Sequence, residues 1–274
     1  MLITRVLTAL VLAPLMLACI YWLPETGFAA FIGAIVVLGA WEWANLAGFQ
    51  RVTTRLGMAA LTAAALGLLW WLQTRTALTW LQLTLWSLLW WLFALVMVVR
   101  YPASQNWIQH RWVRLLMALP VLLPLWLGLN VLKGQPNANL VLTWLMLLVW
   151  GADIGAFFAG KAFGNRKLAP SVSPGKTWAG VYGGMATSVV LSAAMALIFL
   201  PSLTPVQWLL LLVISALVVA ISVLGDLFES LLKRYRGIKD SSGLLPGHGG
   251  ILDRIDSLCA ATPMFCVLLL AVIL

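Results

Sequence analysis

Residues 224–257, LGDLFESLLKRYRGIKDSSGLLPGHGGILDRIDS, decide how the whole chain is interpreted. This segment holds five of the eight acidic residues and five of the 17 Lys and Arg residues, together with His248. The rest of the chain is apolar, since the protein is 63% hydrophobic and only 9% charged. Charged groups are costly beside lipid and usually mark a site when they occur there. The segment is therefore predicted to carry chemistry.

Apolar runs occupy most of the sequence outside this segment. The mean hydropathy is +1.01, and nine runs of about 17–21 residues are each long enough to cross a bilayer as a helix. Backbone within lipid must satisfy its own hydrogen bonds, so all nine are predicted to be helical. The sequence predicts an all-α integral membrane protein, a polytopic bundle of about nine transmembrane helices, at 6–23, 28–46, 56–72, 79–99, 115–132, 139–159, 180–200, 207–227 and 258–274.

The first run follows Arg5 and could be taken for a signal peptide. It lacks a small-residue cleavage site before Pro24, so we interpret it as a retained helix. Three cysteines, Cys19, Cys259 and Cys266, lie within apolar runs and have no metal-ligand spacing. They are predicted to be buried small side chains.

The basic residues indicate an orientation. With a cytoplasmic amino terminus, 15 of the Lys and Arg residues fall in cytoplasmic loops or at cytoplasmic helix ends, and only Arg75 and Lys133 fall outside. The positive-inside rule predicts this topology. The basic residues behind the net charge of +9 are thus explained by topology and by contact with anionic lipid headgroups. We therefore expect no nucleic-acid partner.

The chain divides into two regions by content. Residues 1–138 are predicted to be a transmembrane scaffold, and residues 139–274 a transmembrane catalytic region with cytoplasmic loops 160–178 and 228–257. Within the scaffold, Glu42 could be an interfacial charge whose side chain reaches the headgroups, or it could line a site; we favour the first interpretation.

Asp153 introduces charge into the sixth apolar run. An intramembrane carboxylate is expected to face the bundle or a water-filled cavity. Glycine and alanine residues around it, including Gly151 and Gly155, allow close packing against another helix.

The loop after the sixth run contains Ser171, Ser173, Lys176 and Thr177. Its Gly-Lys-Thr ending resembles part of a P-loop, but Pro170 stands where that motif needs glycine, so we reject that interpretation. Hydroxyl groups and a lysine at a helix amino terminus still suit a phosphate. An ordinary helix cap in a basic loop explains the same residues equally well.

A helical face begins at Asp226. Asp226, Glu229, Ser230 and Lys233 have the spacing i, i+3, i+4 and i+7, which places them on one side of a helix. An interfacial amphipathic helix would explain the basic residues here, but it does not explain Asp226, which gains nothing from anionic headgroups.

The glycine-rich loop that follows includes Gly-His-Gly-Gly, whose successive N–H groups can face an anion. His248 in that loop can position or protonate a phosphate. Asp253 and Asp256 then lie one turn apart on a helix and repel each other unless a positive charge lies between them. Oxygen ligands without cysteine or clustered histidine suit Mg²⁺.

These residues together resemble the signature of the phosphatidate cytidylyltransferases, or CDP-diacylglycerol synthases. The pattern S-x-x-K-R-x-x-x-x-K-D followed by H-G-G-x-x-D-R-x-D begins at Ser230, and S-x-S-P-x-K-T begins at Ser171. The resemblance covers about residues 139–274, with only hydropathy matching before that. Ala179 stands where many relatives have Glu or Gln, and we assign it no role.

The resemblance implies an enzyme that condenses CTP with phosphatidic acid to give CDP-diacylglycerol and pyrophosphate. It implies Mg²⁺, with a second cation left open, and a homodimer in the inner membrane of a bacterium with its active site facing the cytoplasm. Implied metal ligands are Asp226, Asp240, Asp253 and Asp256. The catalytic group also includes Lys233, Arg234, Lys239 and His248; implied substrate contacts are Ser171, Ser173, Lys176, Thr177, Ser230, Gly249, Gly250 and Arg254.

Two alternatives remain from the sequence. A CTP-dependent polyprenol or lipid kinase would release CDP in place of pyrophosphate. An ion or solute transporter could use Asp153 and Asp226 as an ion path, but transporters usually show two related halves with sites near the midplane. Here the polar residues cluster at one face of one half, which counts against transport.

Overall fold

The computed structural model describes residues 2–73, 78–200 and 202–272. Arg75, which was predicted to lie outside the cytoplasm, and the last two residues of the ninth run fall outside these ranges. The described residues form ten α-helices: α1 (Leu2–Trp22), α2 (Glu25–Leu46), α3 (Val52–Gln73), α4 (Leu78–Val99), α5 (Arg111–Leu116), α6 (Ala118–Lys133), α7 (Ala138–Phe163), α8 (Trp178–Phe199), α9 (Pro205–Arg236) and α10 (Leu252–Val272).

Helices occupy every predicted apolar run within the described residues, and most extend a few residues beyond it. The fifth run differs because it is divided between α5 and α6 at Met117. Pro120 explains the break, since its nitrogen cannot donate to the carbonyl of Leu116 and its ring crowds that group. A short 3-10 helix, Ala103–Ile108, precedes α5.

Six segments in the described residues are long and apolar enough to cross a membrane: α2, α3, α5 with α6, α7, α8 and α9. Shorter apolar stretches occur in α1 and α4, and α10 carries Asp253, Arg254 and Asp256 in its first two turns. The protein is therefore a helical multi-pass membrane protein, while nine spans and a cytoplasmic amino terminus remain predictions.

A β-hairpin corrects the expectation of a purely helical chain. Strand β1 (Lys167–Ala169) pairs antiparallel with β2 (Ser173–Thr177) in the loop between α7 and α8. The hairpin is held to α9, because Arg234 Nε donates to the carbonyl oxygen of Val172 at 3.0 Å and Val172 is buried. The hairpin delivers the end of β2 to the start of α8.

Small residues let α7 and α8 pack closely, as their sequence predicts. A Cβ added to Gly184 would lie 2.7 Å from the carbonyl oxygen of Ala152, and one added to Gly183 would overlap the side chain of Ala159. Helices α9 and α10 approach in the same way at Gly225, where a Cβ would overlap the carbonyl oxygen of Asp256.

Aromatic packing joins the first half of the chain to the second. Phe228 of α9 is buried and contacts Trp43, Trp90 and Trp91, with ring centroids separated by 6.3, 5.6 and 6.0 Å. The hydrophobic core is continuous across residue 138. The scaffold region thus packs directly against the helix that carries Asp226 and Lys233. All three cysteines are buried, as predicted.

Cysteine labelling tests the orientation of the helices. Pro136 and Leu244 are exposed in loops, and Asn106 is exposed in the short 3-10 helix before α5, so a cysteine at each should react readily. The charge distribution predicts that 106 and 244 are labelled from the cytoplasm and 136 only from the opposite side. The native cysteines give little background because they are buried. Labelling of 106 and 136 from the same side would contradict the predicted topology.

Candidate active site

A buried ion-pair network forms where α9 meets the start of α10. The Lys233 ammonium lies 2.9 Å from Glu229 Oε2 and 2.7 Å from Asp253 Oδ1. All three side chains are largely shielded, with 10%, 3% and 5% of their areas exposed. Glu229 and Lys233 pair because they lie one turn apart on α9, whereas Asp253 reaches Lys233 from another helix.

Asp253 also organises the loop before α10. Its Oδ2 accepts hydrogen bonds from the backbone N–H of Ser241 at 2.9 Å, the Ser241 hydroxyl at 2.8 Å and the backbone N–H of Gly250 at 2.7 Å. Gly249 has a φ of 81°, and a Cβ there would lie 2.8 Å from Asp253 Oδ2. Asp253 was predicted to be a metal ligand, but both of its carboxylate oxygens already bind other groups of the protein.

Glu42 is the residue that the sequence interpretation misplaced. The favoured interpretation had its side chain reach the headgroups, and the alternative was a position lining a site; the structure shows it fully buried. Its carboxylate accepts hydrogen bonds from the hydroxyls of Ser241 and Ser242 and from the backbone N–H groups of Ile251 and Leu252. An acidic residue among apolar helical neighbours was itself a signal of a functional position.

Asp226 lies at the edge of a cavity between α7, α8 and α9. Its Oδ2 is 2.7 Å from the ammonium of Lys176, and its Oδ1 accepts from the Ser230 hydroxyl at 3.2 Å. The cavity has a volume of about 390 Å³, and its polar lining includes Asp153, Lys161, Lys176, Thr177, Asp226 and Ser257. Asp153 therefore faces a cavity, as its intramembrane position predicted.

Asp256 lies near the start of α10, next in sequence to Ser257. Its carboxylate interacts electrostatically with both Asp226 and Glu229, and its Oδ1 accepts from the backbone N–H of Ser257, which lines the cavity. The close approach at Gly225 brings α10 against α9 at this point. The sequence placed Glu229 on the same face of α9 as Asp226 and Lys233, but it was not predicted to be a site residue. Its burial beside Lys233 shows that it belongs to the ion-pair network.

The carboxylates fit a divalent cation only in part. Among the described residues, no group of three or more His, Cys, Asp or Glu side chains is arranged to hold a metal ion. Mg²⁺, however, is commonly held by one or two carboxylates together with substrate phosphates. Asp226 on α9 and Asp256 on α10 offer two such carboxylates, since they are near enough to influence each other electrostatically. Asp240 is exposed beside Gly249 in the loop.

The remaining predicted residues lie around this centre. Thr177 caps α8, accepting from the N–H of Gly180 at 3.1 Å, so the helix-cap interpretation of that residue is confirmed. His248 is half-buried, and its backbone N–H donates to the carbonyl oxygen of Leu245 at 2.9 Å. Ser173 is half-buried, and four residues have exposed positions: Ser171, Arg234, Lys239 and Arg254.

Comparison with known sequences shows which family the chain belongs to. The family model described as the cytidylyltransferase family matches residues 3–272. The chain belongs to the cytidylyltransferase family. The match includes the scaffold region, where the sequence alone had shown only matching hydropathy.

Three relatives match over at least 90% of their own length. The chain is 52% identical to the phosphatidate cytidylyltransferase of Pseudomonas aeruginosa, covering 99% of this chain and 98% of the relative. It is 40% identical to the Haemophilus influenzae protein of the same name over 97% of both chains. A Brucella suis relative, also named phosphatidate cytidylyltransferase, is 35% identical over 95% of this chain. The resemblance stated from the motifs is confirmed.

The two lysines of the site should contribute differently to stability. Lys233→Met would leave two buried carboxylates without their cation, which costs roughly 3–5 kcal/mol of unfolding free energy. Lys176→Met breaks a partly exposed pair, with 25% and 32% of the two side chains accessible, and should cost about 1 kcal/mol or less. Thermal unfolding of the purified variants in detergent measures the difference. Equal losses, or a larger loss for Lys176→Met, would contradict this assignment of the buried network.

Proposed function

We propose that this protein is a membrane enzyme of phospholipid biosynthesis that condenses CTP with phosphatidic acid to give CDP-diacylglycerol and pyrophosphate. The observation that carries the proposal is the 390 Å³ cavity, in which Lys176 and Asp226 meet within a bundle of apolar helices. A cavity of this size falls within the range of small-molecule sites. Its position among membrane helices suits a lipid substrate.

Both proposed reactants are polyanions, so cations must bring them together. Lys161 and Lys176 line the cavity, and the start of α8 adds the positive end of a helix dipole beside Thr177. The pair between Lys176 and Asp226 is partly exposed, so Lys176 can exchange Asp226 for a phosphate. Arg234, Lys239 and Arg254 are exposed and would attract the nucleotide to the loop.

The chemical step needs little covalent participation by the protein. A phosphomonoester has a second pKa of about 6, so the lipid phosphate is already an anionic nucleophile near neutral pH. One of its oxygens would attack the α-phosphorus of CTP, forming the new P–O bond as the bond to pyrophosphate breaks. The protein holds the two groups in line and offsets charge on pyrophosphate. His248 would support phosphate binding in the adjacent loop.

Mg²⁺ is the cofactor we propose, with Asp226 and Asp256 as its protein ligands. When bound, it would supply electrostatic stabilisation to the phosphate oxygens. Asp253 would act differently from the metal ligand expected from the sequence, since its oxygens are bound by Lys233, Ser241 and Gly250. It would fix the loop and the first turn of α10.

The membrane setting follows from the same proposal. We propose the inner membrane of a bacterium, nine spans and a cytoplasmic amino terminus, which would place the loop before α10 where cytosolic CTP can reach it. The bacterial relatives and the apolar helices support this arrangement. A homodimer is implied by the family resemblance and is proposed on that basis.

Product analysis tests the proposed activity. Purified protein should release pyrophosphate from CTP only when phosphatidic acid is present, with CDP-diacylglycerol formed in equal amount. Release of CDP would instead indicate a lipid kinase. If neither pyrophosphate nor CDP-diacylglycerol forms, the proposed function is wrong.

Asp256→Asn and EDTA treatment should each reduce turnover by orders of magnitude, since metal-bound charge stabilisation contributes several kcal/mol. Full activity of Asp256→Asn at saturating Mg²⁺ would contradict the carboxylate assignment.

The stereochemical course tests the single displacement. CTP with a chiral α-phosphorothioate should give CDP-diacylglycerol with inverted configuration at that phosphorus, because one in-line attack inverts it. Two successive displacements would restore the configuration through a cytidylylated enzyme. Retention, or isolation of such an intermediate, would therefore overturn direct attack by the lipid phosphate.

A further inference from the structure

Glu42 occupies an unusual position for a carboxylate. It lies four residues before the carboxyl end of α2, in the scaffold region, yet no part of it is exposed. Its bonding partners are all more than 190 residues away in the chain, in the loop before α10 and in the first residue of α10 itself. A buried charge is retained only when it is well bonded, so these contacts account for its burial.

The contacts make Glu42 an amino-terminal cap for α10 that comes from another helix. The first N–H groups of a helix have no partner within the helix, and negative charge is favourable beside them. α10 begins at Leu252, and Glu42 accepts from the N–H groups of Ile251 and Leu252 at 3.0 and 2.6 Å. Each oxygen of Glu42 binds one of these two groups and one serine hydroxyl.

Ser241 connects this cap to the active-site carboxylates. Its hydroxyl lies 3.2 Å from Glu42 Oε2 and 2.8 Å from Asp253 Oδ2, so the two carboxylates share its single proton. Asp253 then holds Lys233, which in turn holds Glu229. A displacement of Glu42 would therefore reach Asp253 through Ser241, whose backbone N–H also donates to Asp253.

The backbone of the loop before α10 packs tightly against Glu42. Gly250 passes so close to Glu42 that an added Cβ would lie 2.6 and 2.7 Å from its two carboxylate oxygens and would overlap the Ser241 hydroxyl. Three residues before Glu42 on α2, a Cβ added to Gly39 would lie 3.4 Å from the side chain of Ile255 on α10. Helix α2 thus contacts α10 along one side and fixes where its first turn begins.

We propose that Glu42 is a positioning residue for the reaction: it caps α10 from α2 and thereby fixes Asp253 and Asp256 relative to α9. This role rests on the proposed cytidylyl transfer. Because Glu42 is fully buried, it would act through Ser241 and the first turn of α10 and not by touching a substrate. The scaffold region would consequently contribute to turnover, although it carries none of the predicted site residues.

Glu42→Gln tests this role with little change in size. Glutamine offers one acceptor oxygen, so its amide group would face one of the two helix N–H groups, and the first turn of α10 would shift. Small misplacements can cost up to about 100-fold in rate, so we expect turnover to fall roughly 10- to 100-fold. KM for CTP should stay unchanged. The matched control is Glu25→Gln, the same change at the exposed start of α2, which should keep wild-type turnover.

Hydrogen–deuterium exchange gives a readout that does not depend on activity. Glu42→Gln should accelerate exchange selectively at Ile251 and Leu252, while Glu25→Gln leaves it unchanged. Glu42→Asp keeps the charge but is one methylene shorter, so it should give the same local acceleration if Glu42→Gln cannot be purified folded.

The outcomes separate this role from the proposed function. Wild-type turnover in the Glu42 variants, or accelerated exchange spread evenly through the protein, would overturn the positioning role. If the wild-type protein itself shows no transfer, the proposed function fails, and the exchange experiment still decides whether Glu42 caps α10.

Discussion

The ion pairs of Lys233 are the interaction on which the rest of the site depends. A buried ammonium group is stable only when carboxylates and further hydrogen bonds compensate its lost hydration. Glu229 and Asp253 provide that compensation from α9 and α10, at 2.9 and 2.7 Å. Asp253 can do so only because the loop before α10 folds over it, with Ser241 and Gly250 donating to its second oxygen. The loop conformation and the helix crossing are therefore parts of one electrostatic arrangement.

Close approach of the helices is the second constraint. At Gly225 the backbone of α9 meets that of α10, and at Gly183 and Gly184 α8 meets α7. Larger residues would separate these helices and move Asp226 away from Asp256. A cavity remains beside Asp226, and Lys176 of strand β2 lines it and pairs with Asp226. Small residues thus determine the spacing at which charged side chains from different helices meet.

The first half of the chain has a larger part than a lipid-facing scaffold. Trp43 packs on Phe228 of α9, while Glu42, its neighbour in sequence, binds the loop and the start of α10. Adjacent positions on α2 therefore contact both helices of the site. Aromatic packing and buried hydrogen bonds thus join α2, which precedes residue 139, to both α9 and α10.

The sequence by itself determined the helices, the concentration of charge and the family resemblance. These depend on local properties: apolar length, the 3.6-residue period that pairs Glu229 with Lys233 and Asp226 with Ser230, and the fixed spacing of a motif. Only the tertiary structure decided that Lys176 meets Asp226, that Asp253 binds Lys233 with both oxygens occupied, and that Glu42 is buried against α10. Those contacts depend on how each helix is rotated and how closely it approaches its neighbours. No local period encodes that relation between helices, because it results from the packing of all of them together.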